Sequence, residues 1–367
     1  MNQTDKPASA GASSHGERIE SLNGLRAVSV FLVIASHLAT SDGTPKWLAP
    51  AFAVFNGRLF DGALGVGMFF CISGFLITHL LLREREATGG VSLGKFYLRR
   101  CLRIWPVFYA FVVFLLIVTM TTKLRVSACQ FATAVTFTKN YGCSSWIDGH
   151  LWSLSVEQQF YLLWPAVIAL ASTRSATVFA IAAIVIAPFS RLIEFDAGLP
   201  QWWLTSRMDA LMCGCLAAMG LGLRRELFQK VASSRATMAR IAGFLGLVGP
   251  VVWRHSRPDD VAQIMFGPTL QALAGTLLVV SFAFGPAGLA KSILNTRLMN
   301  FLGLISYSLY IWQEPFFIWP SDFGFNSLIT FEWPFNVIGI FLVATASYYC
   351  LERPLVLLRR RFSVGRA

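Results

Sequence analysis

Charged residues are scarce in this sequence. Asp, Glu, Lys and Arg make up 14% of its 367 residues, whereas a soluble domain carries roughly 25%. Hydrophobic residues make up 55% of the chain, and the mean hydropathy is +0.58. An ordinary soluble protein is therefore excluded, and most of the sequence is expected to lie in an apolar environment.

Metal-ligand patterns and internal repeats are also missing. The seven Cys and five His residues fall at none of the spacings typical of metal sites, so no metal is expected. The lack of a repeat disfavours a transporter built from inverted repeats. Cys129 and Cys143 share one predicted outer loop, where oxidation to a disulfide is feasible. Two free thiols are the favoured interpretation there.

The sequence does contain a series of long apolar runs. About ten runs of roughly 18 to 23 residues have the length that crosses a bilayer core, and the run at 237–254 is the weakest. The pattern predicts an all-α polytopic membrane protein with about ten transmembrane helices in one bundle. We expect a membrane domain at 21–356, between a disordered cytoplasmic tail at 1–20 and a basic cytoplasmic tail at 357–367. The runs lie near 22–40, 60–82, 103–121, 150–171, 176–194, 201–222, 237–254, 262–285, 299–320 and 331–351.

The basic residues predict the orientation in the membrane. An even number of spans places both termini on one side, and most of the 31 Lys and Arg residues fall on that side. Cytoplasmic loops carry such an excess, so both termini are expected in the cytoplasm. The net charge of +12 then needs no nucleic-acid partner, because it is spread over membrane-proximal loops.

Two polar residues in the first apolar run indicate a function. Arg26 and His37 are eleven residues apart, which on an α-helix places both side chains on one face, about 16 Å apart along the axis. A cation and an imidazole are costly inside a bilayer and mark functional sites. We expect the arginine to hold an anion near one membrane surface, and the histidine to carry out proton chemistry deeper in the membrane.

A cluster of arginines precedes the third run. On a helix, Arg100 and Arg103 share a face at a spacing of three residues, and Arg99 and Arg103 share a face at a spacing of four. Guanidinium groups bind phosphate oxygens in a bidentate manner, so this cluster can hold a highly anionic nucleotide at the cytoplasmic surface. An anchor for anionic lipid is the alternative, and charge alone favours it.

The fourth run begins with further polar residues. His150, Ser153 and Glu157 share one helix face. Glu157 and His37 are both expected in the outer half of the membrane, where the carboxylate would orient the imidazole and raise its basicity. A structural hydrogen-bond network is an equally good interpretation of Glu157.

The sixth run contains Arg207 and Asp209. Residues two positions apart on a helix do not face each other, so each is expected to have a partner on another helix. Charge compensation is the favoured role of Asp209, and acceptor binding is a candidate role of Arg207.

Seven segments of the chain, in this order, resemble the membrane-bound acyltransferase family 3. That family contains bacterial O-acetyltransferases that modify O-antigen, exopolysaccharide, Nod factors, peptidoglycan and macrolides. The resemblance covers nearly all of residues 20–356, and although no single segment is decisive, seven in the correct order are highly specific. The segments are Leu22–Ala27 with His37, Phe70–Ile77, Phe96–Pro106, Leu151–Tyr161, Arg207–Leu211, Ser306–Trp312 and Glu352–Pro354.

The resemblance implies an O-acyltransferase of the bacterial cytoplasmic (inner) membrane, with acetyl-CoA as the expected acyl-CoA donor. It gives His37 an essential role and assigns acyl-CoA binding to Arg100 and Arg103, to which the physical argument adds Arg26. A carbohydrate or glycolipid hydroxyl is the acceptor on family grounds. His37, oriented by Glu157, would remove the proton from that hydroxyl, which then attacks the thioester.

Several alternatives stay open. Transient acylation of His37 or of a serine would replace direct transfer. Many family members carry a histidine where this chain has Gln313, so Gln313 is expected to form a hydrogen bond or to contact the substrate. Ser153 is also expected to contact the substrate. A transporter or flippase of a polysaccharide or lipid intermediate is the rival class, but it gives no reason for arginines aligned with an intramembrane histidine. A further alternative is a non-catalytic protein descended from the enzymes, and Gln313 is the only residue that supports it.

Overall fold

The structure, a computed structural model, describes residues 20–40, 45, 47–48, 50–51, 54–223, 234–317, 323–324 and 332–359. Most of these residues are helical and none of them lies in a β-strand, which confirms the all-α prediction. The predicted tails lie outside the described residues, apart from Glu20 and positions 357–359, which belong to helices.

Long helices alternate with short connecting elements. Two 3₁₀-helices, Lys139–Tyr141 and Glu314–Phe316, and two π-helical turns, Val54–Arg58 and Tyr348–Glu352, lie between them. The helices are α1 (Glu20–Thr40), α2 (Gly62–Thr88), α3 (Leu93–Thr121), α4 (Ala128–Val135), α5 (Trp146–Gly149), α6 (Leu151–Leu170), α7 (Thr173–Asp196), α8 (Leu204–Leu223), α9 (Ala236–Ser256), α10 (Val261–Phe284), α11 (Leu289–Leu294), α12 (Arg297–Trp312), α13 (Phe335–Ser347) and α14 (Arg353–Arg359).

A helix overlaps each of the ten predicted runs. Within the described residues, seven helical segments are long and apolar enough to cross a membrane: α1, α2, α3, α7, α9, α10, and α13 continued into α14. The weakest predicted run, at 237–254, is among them as α9. Helices α6, α8 and α12 occupy the other three runs. The number of crossings and the cytoplasmic position of the termini stay predictions.

The outer surface of the bundle is apolar. Large hydrophobic side chains are exposed along α3, α6 and α7, and Met120 and Leu170 reach 75% and 85% exposure. Apolar surface of this extent is not stable in water but matches lipid chains. The chain is therefore a multi-pass membrane protein.

Helices α2 and α8 pack closely because each contributes a glycine to their contact. A Cβ atom added to Gly74 would collide with the carbonyl oxygen of Leu211, and one added to Gly214 would collide with that of Cys71. Small residues allow membrane helices to approach to backbone contact. This contact fixes the rotation of α2, which carries residues of the candidate site.

A buried ion pair joins α7 to α8. Arg191 Nη1 lies 2.9 Å from Asp209 Oδ2, and Thr269 on α10 donates a second hydrogen bond to that oxygen at 2.6 Å. Both charged side chains are almost fully buried. The prediction that Asp209 pairs with another helix is confirmed, and the pair neutralises a charge that would otherwise be costly in the membrane.

The loop between α3 and α6 is held by a disulfide and by a buried ion pair. Cys129 and Cys143 are disulfide-bonded with their Cα atoms 5.8 Å apart, so the expectation of two free thiols is wrong. The Lys139 ammonium contacts the Asp148 carboxylate and donates to the carbonyls of Gln130 (3.1 Å) and Cys143 (2.7 Å). Burial lowers the pKa of Lys139 from its ordinary value. These contacts make the loop a compact cap.

Candidate active site

Helix α1 carries one polar residue towards each of its ends. Arg26 lies in the second turn and His37 in the last turn, which puts them about 16 Å apart along the axis. Each residue lines a different pocket of the bundle. The predicted arrangement of a cation and an imidazole at two levels of one helix is present.

Arg26 opens into a narrow cavity that we call the arginine pocket. Its volume is about 70 Å³, and α1, α2, α3, α6 and α12 contribute its walls. Arg26, Arg100 and Arg103, the three predicted acyl-CoA ligands, all line it. The Arg26 Nε donates to Ser306 Oγ at 3.3 Å, and the Arg100 guanidinium lies 5.2 Å from the ring centroid of Tyr161. Three guanidinium groups from two helices therefore converge on one slot.

Glu157 lines the arginine pocket and does not pair with His37. Its carboxylate accepts a hydrogen bond from Ser73 on α2, and the Tyr161 hydroxyl donates to Ser73 Oγ at 3.3 Å. The expected pair of Glu157 with His37 is wrong, because the two residues line different pockets. Glu157 follows His150 by seven positions, so its carboxylate lies about 10 Å further along α6. There it faces arginines instead of the imidazole.

The carboxylate beside His37 belongs to Glu314. Its Oε1 lies 3.6 Å from Nε2 of His37 and 3.9 Å from Nδ1 of His150, so one carboxylate contacts two imidazoles. Glu314 is only 3% exposed and begins the 3₁₀-helix that follows α12. Pro315 cannot continue the hydrogen-bond ladder of an α-helix, so the chain turns at this point. Sequence reasoning missed Glu314, although a carboxylate before a proline inside a predicted span was a usable signal.

Gln313 lies beside His37 and is fully buried. Neither polar atom of its amide has a hydrogen-bond partner of normal geometry among the described residues. A buried amide without partners costs about 1–3 kcal/mol. The amide lies next to the imidazole of His37, and its role as a substrate contact stays a prediction.

His37 opens into a wider cavity that we call the histidine pocket. Its volume is about 520 Å³. The cap between α3 and α6 supplies part of its wall, and the ring of Trp146 from this cap lies 5.7 Å from that of His37. The pocket is rich in aromatic and titratable side chains: His37, Trp146, His150, Trp152, Trp202, Arg207, Tyr310 and Glu314 line it.

A thin wall separates the two pockets. Val66 and Tyr310 line both of them. The Tyr310 hydroxyl donates to the His150 carbonyl at 2.9 Å and lies 2.6 Å from Ser153 Oγ. Ser153 itself lines the arginine pocket, whereas Arg207 lines the histidine pocket. The predicted site residues thus divide between two levels of the bundle that meet at one tyrosine.

Metal ligation has no basis in the described residues. No group of three or more His, Cys, Asp or Glu side chains among them could hold a metal ion. The two histidines and Glu314 contact each other directly instead. The chemistry that this arrangement supports is proton transfer in the histidine pocket and anion binding in the arginine pocket.

Comparison with known proteins decides the family. The acyltransferase domain of family 3 matches residues 19–352, which includes every residue of both pockets. The chain belongs to acyltransferase family 3. The resemblance found in the sequence segments is therefore confirmed.

Curated relatives within the family are O-acetyltransferases. The chain is 27% identical to the O-acetyltransferase OatA of Staphylococcus aureus (strain NCTC 8325 / PS 47), over 91% of this chain and 56% of the relative. It is 24% identical to the peptidoglycan O-acetyltransferase OatA of Listeria monocytogenes, over 92% and 56%. It is 23% identical to the putative peptidoglycan O-acetyltransferase YrhL of Bacillus subtilis, over 93% and 55%. The chain thus spans little more than half the length of these relatives. No solved structure matches it.

Proposed function

We propose that this acyltransferase is an O-acetyltransferase that moves an acetyl group from cytoplasmic acetyl-CoA to a hydroxyl of a cell-envelope or exported carbohydrate. The observation that supports this proposal is the pair of pockets at the two ends of α1. One is narrow and cationic, and the other is wide and contains a histidine with a carboxylate. This pairing suits a slender anionic donor on one side and a bulky hydroxyl-bearing acceptor on the other.

The donor is assigned to the arginine pocket. Acyl-CoA carries three phosphate groups and a long pantetheine arm that ends in the thioester. Arg26, Arg100 and Arg103 line the pocket, and guanidinium groups bind phosphate oxygens in a bidentate manner. The arm then enters the slot and carries the thioester towards Tyr310 and His37, which lies about 16 Å from Arg26 along α1.

The chemistry is assigned to His37. The Glu314 carboxylate lies 3.6 Å from Nε2 of His37, so we assign Nδ1 as the basic atom. Nδ1 removes the proton from the acceptor hydroxyl, and the oxygen attacks the thioester carbonyl carbon. The carbon–sulfur bond then breaks, and the CoA thiolate takes the proton back from the imidazolium. Direct transfer needs no acyl-enzyme, but the same geometry permits acylation of His37.

The test uses membranes that contain the full chain and acetyl-CoA labelled on the acetyl carbon. We expect the wild type to transfer label to envelope glycan and to release free CoA, and His37→Ala to do neither. His255→Ala is the matched control, because His255 is exposed near the end of α9. Equal transfer by wild type and His37→Ala would remove His37 from the chemistry. No transfer by a folded wild type, with a broad set of acceptors, would favour a transporter or flippase.

A further inference from the structure

Three planar groups in contact with each other form part of the wall of the histidine pocket. The rings of Trp152 and Trp202 are nearly parallel, with an interplanar angle of 4° and centroids 5.7 Å apart. The guanidinium of Arg207 lies 5.3 Å from the ring centroid of Trp152. Stacking on an aromatic face holds a guanidinium flat and in a fixed orientation. This geometry preorganises Arg207 on the wall of a cavity that is large enough for a sugar.

Arg207 differs from the neighbouring arginines in its hydrogen bonds. Arg191 is paired with Asp209, and Arg254, also on the pocket wall, is paired with Asp61. Arg207 donates from Nε to the Gln201 carbonyl at 2.7 Å. Among the described residues, its two Nη groups make no hydrogen bond and no ion pair within 4 Å.

The nearby carboxylates have other partners. Asp209 accepts from Arg191 and Thr269, and Glu194 accepts from the backbone N–H of Trp203 at 3.1 Å. Both carboxylates are almost fully buried, and neither lines the histidine pocket. The Nη edge of Arg207 is thus an available planar donor pair on the wall of this pocket. Planar donor pairs match the geometry of carboxylate and phosphate oxygens.

We infer that the acceptor is acidic, and that Arg207 binds a carboxylate or phosphate group of this carbohydrate while its sugar ring lies against the tryptophans. The inference rests on the proposed function and adds a chemical class to the acceptor. Arg207 and His37 line the same cavity, so an acceptor can bind Arg207 through its acidic group and present a hydroxyl to His37. Arg207 then selects the acceptor and takes no part in the proton transfer.

The test compares three disaccharides with purified full-length protein in lipid nanodiscs. The probes are a glucuronic acid–glucose disaccharide, its uncharged methyl amide, and cellobiose 1-phosphate. Binding of each is measured by equilibrium titration, and transfer is measured with labelled acetyl-CoA. The carboxylate and phosphate arms show which anion the pocket accepts, and the methyl amide preserves the ring without the charge.

Arg207→Gln is expected to weaken binding of an acidic disaccharide, and to raise its KM, by about 10- to 100-fold, the range of hydrogen bonds to charged groups. The affinity for the methyl amide and the KM for acetyl-CoA should change less than about twofold. The kcat should be retained. Arg207→Lys should restore part of the affinity, because it keeps the charge but not the fork. Arg257→Gln removes the same charge from an exposed position on α9's C-terminal side, and should behave as wild type.

Two results would overturn the inference. One is that wild type binds the methyl amide as tightly as both acidic probes. The other is that Arg207→Gln weakens acidic and neutral probes equally, which is the pattern of a structural residue. If no probe accepts acetyl, the titration still decides: Arg207-dependent binding of an acidic probe supports the inference, although the proposed function then fails for these acceptors.

Discussion

Replacement of Glu314 by Gln is the perturbation that tests the site most directly. The substitution preserves the shape of the side chain but removes a carboxylate whose negative charge would stabilise an imidazolium at His37. At an effective dielectric constant of about 20, unit charges 3.6 Å apart interact by about 4–5 kcal/mol. The proton is only partly transferred in the transition state, so we take roughly half, about 2 kcal/mol. This corresponds to a kcat that falls about 30-fold.

The assay measures kcat and KM for label transfer in nanodiscs, with Glu157→Gln as the matched control. Glu157 lines the arginine pocket, so its replacement should act mainly on the KM for acyl-CoA. Glu314→Asp should recover part of kcat. The combination of Glu314→Gln with His37→Ala should be no slower than His37→Ala alone, because Glu314 acts through His37. A Glu314→Gln enzyme with wild-type kcat, or a Glu157→Gln enzyme with the same loss, would refute this assignment.

Two further predictions concern the donor and the cap. Arg103→Gln should raise the KM for acyl-CoA about tenfold with little effect on kcat, as expected for a lost charge-assisted hydrogen bond. The difference in KM from wild type should shrink at high salt, because salt screens the interaction. A salt-independent effect would argue against phosphate binding. Cys129→Ser should lower the free energy of unfolding by about 3 kcal/mol, because the disulfide to Cys143 closes a loop with a sequence separation of 14. Thermal unfolding with and without reductant measures this, and a wild type that is insensitive to reductant would contradict it.

The sequence predicted the elements of the bundle better than the contacts between them. Apolar runs and helical periodicity identified each long helix and the common face of Arg26 and His37, because both properties are local. The periodicity also gave the right level for the arginines of α3. It could not give the partner of His37, because that depends on how α1, α6 and α12 rotate about their axes when they pack.

Three cases show where local reasoning fails. Depth in the membrane alone pairs Glu157 with His37, but the two turns of α6 between His150 and Glu157, about 10 Å, put Glu157 in the other pocket. Glu314 belongs to none of the seven resembling segments and to no cluster of charged residues in the sequence. The disulfide of Cys129 depends on the fold of the cap, which contains short helices without a strong apolar pattern. Long-range geometry, and not residue type, decided each case.

The wall at Tyr310 has a consequence for the barrier function of the membrane. Among the described residues, only one phenol and one valine side chain line both the arginine pocket and the histidine pocket. On the proposed scheme, a two-carbon unit is the only material that must get past this wall, since the nucleotide and the sugar each stay in their own compartment. The cell can thus use the free energy of a cytoplasmic thioester for acyl transfer on the other side of the membrane, without opening a pathway for ions or metabolites.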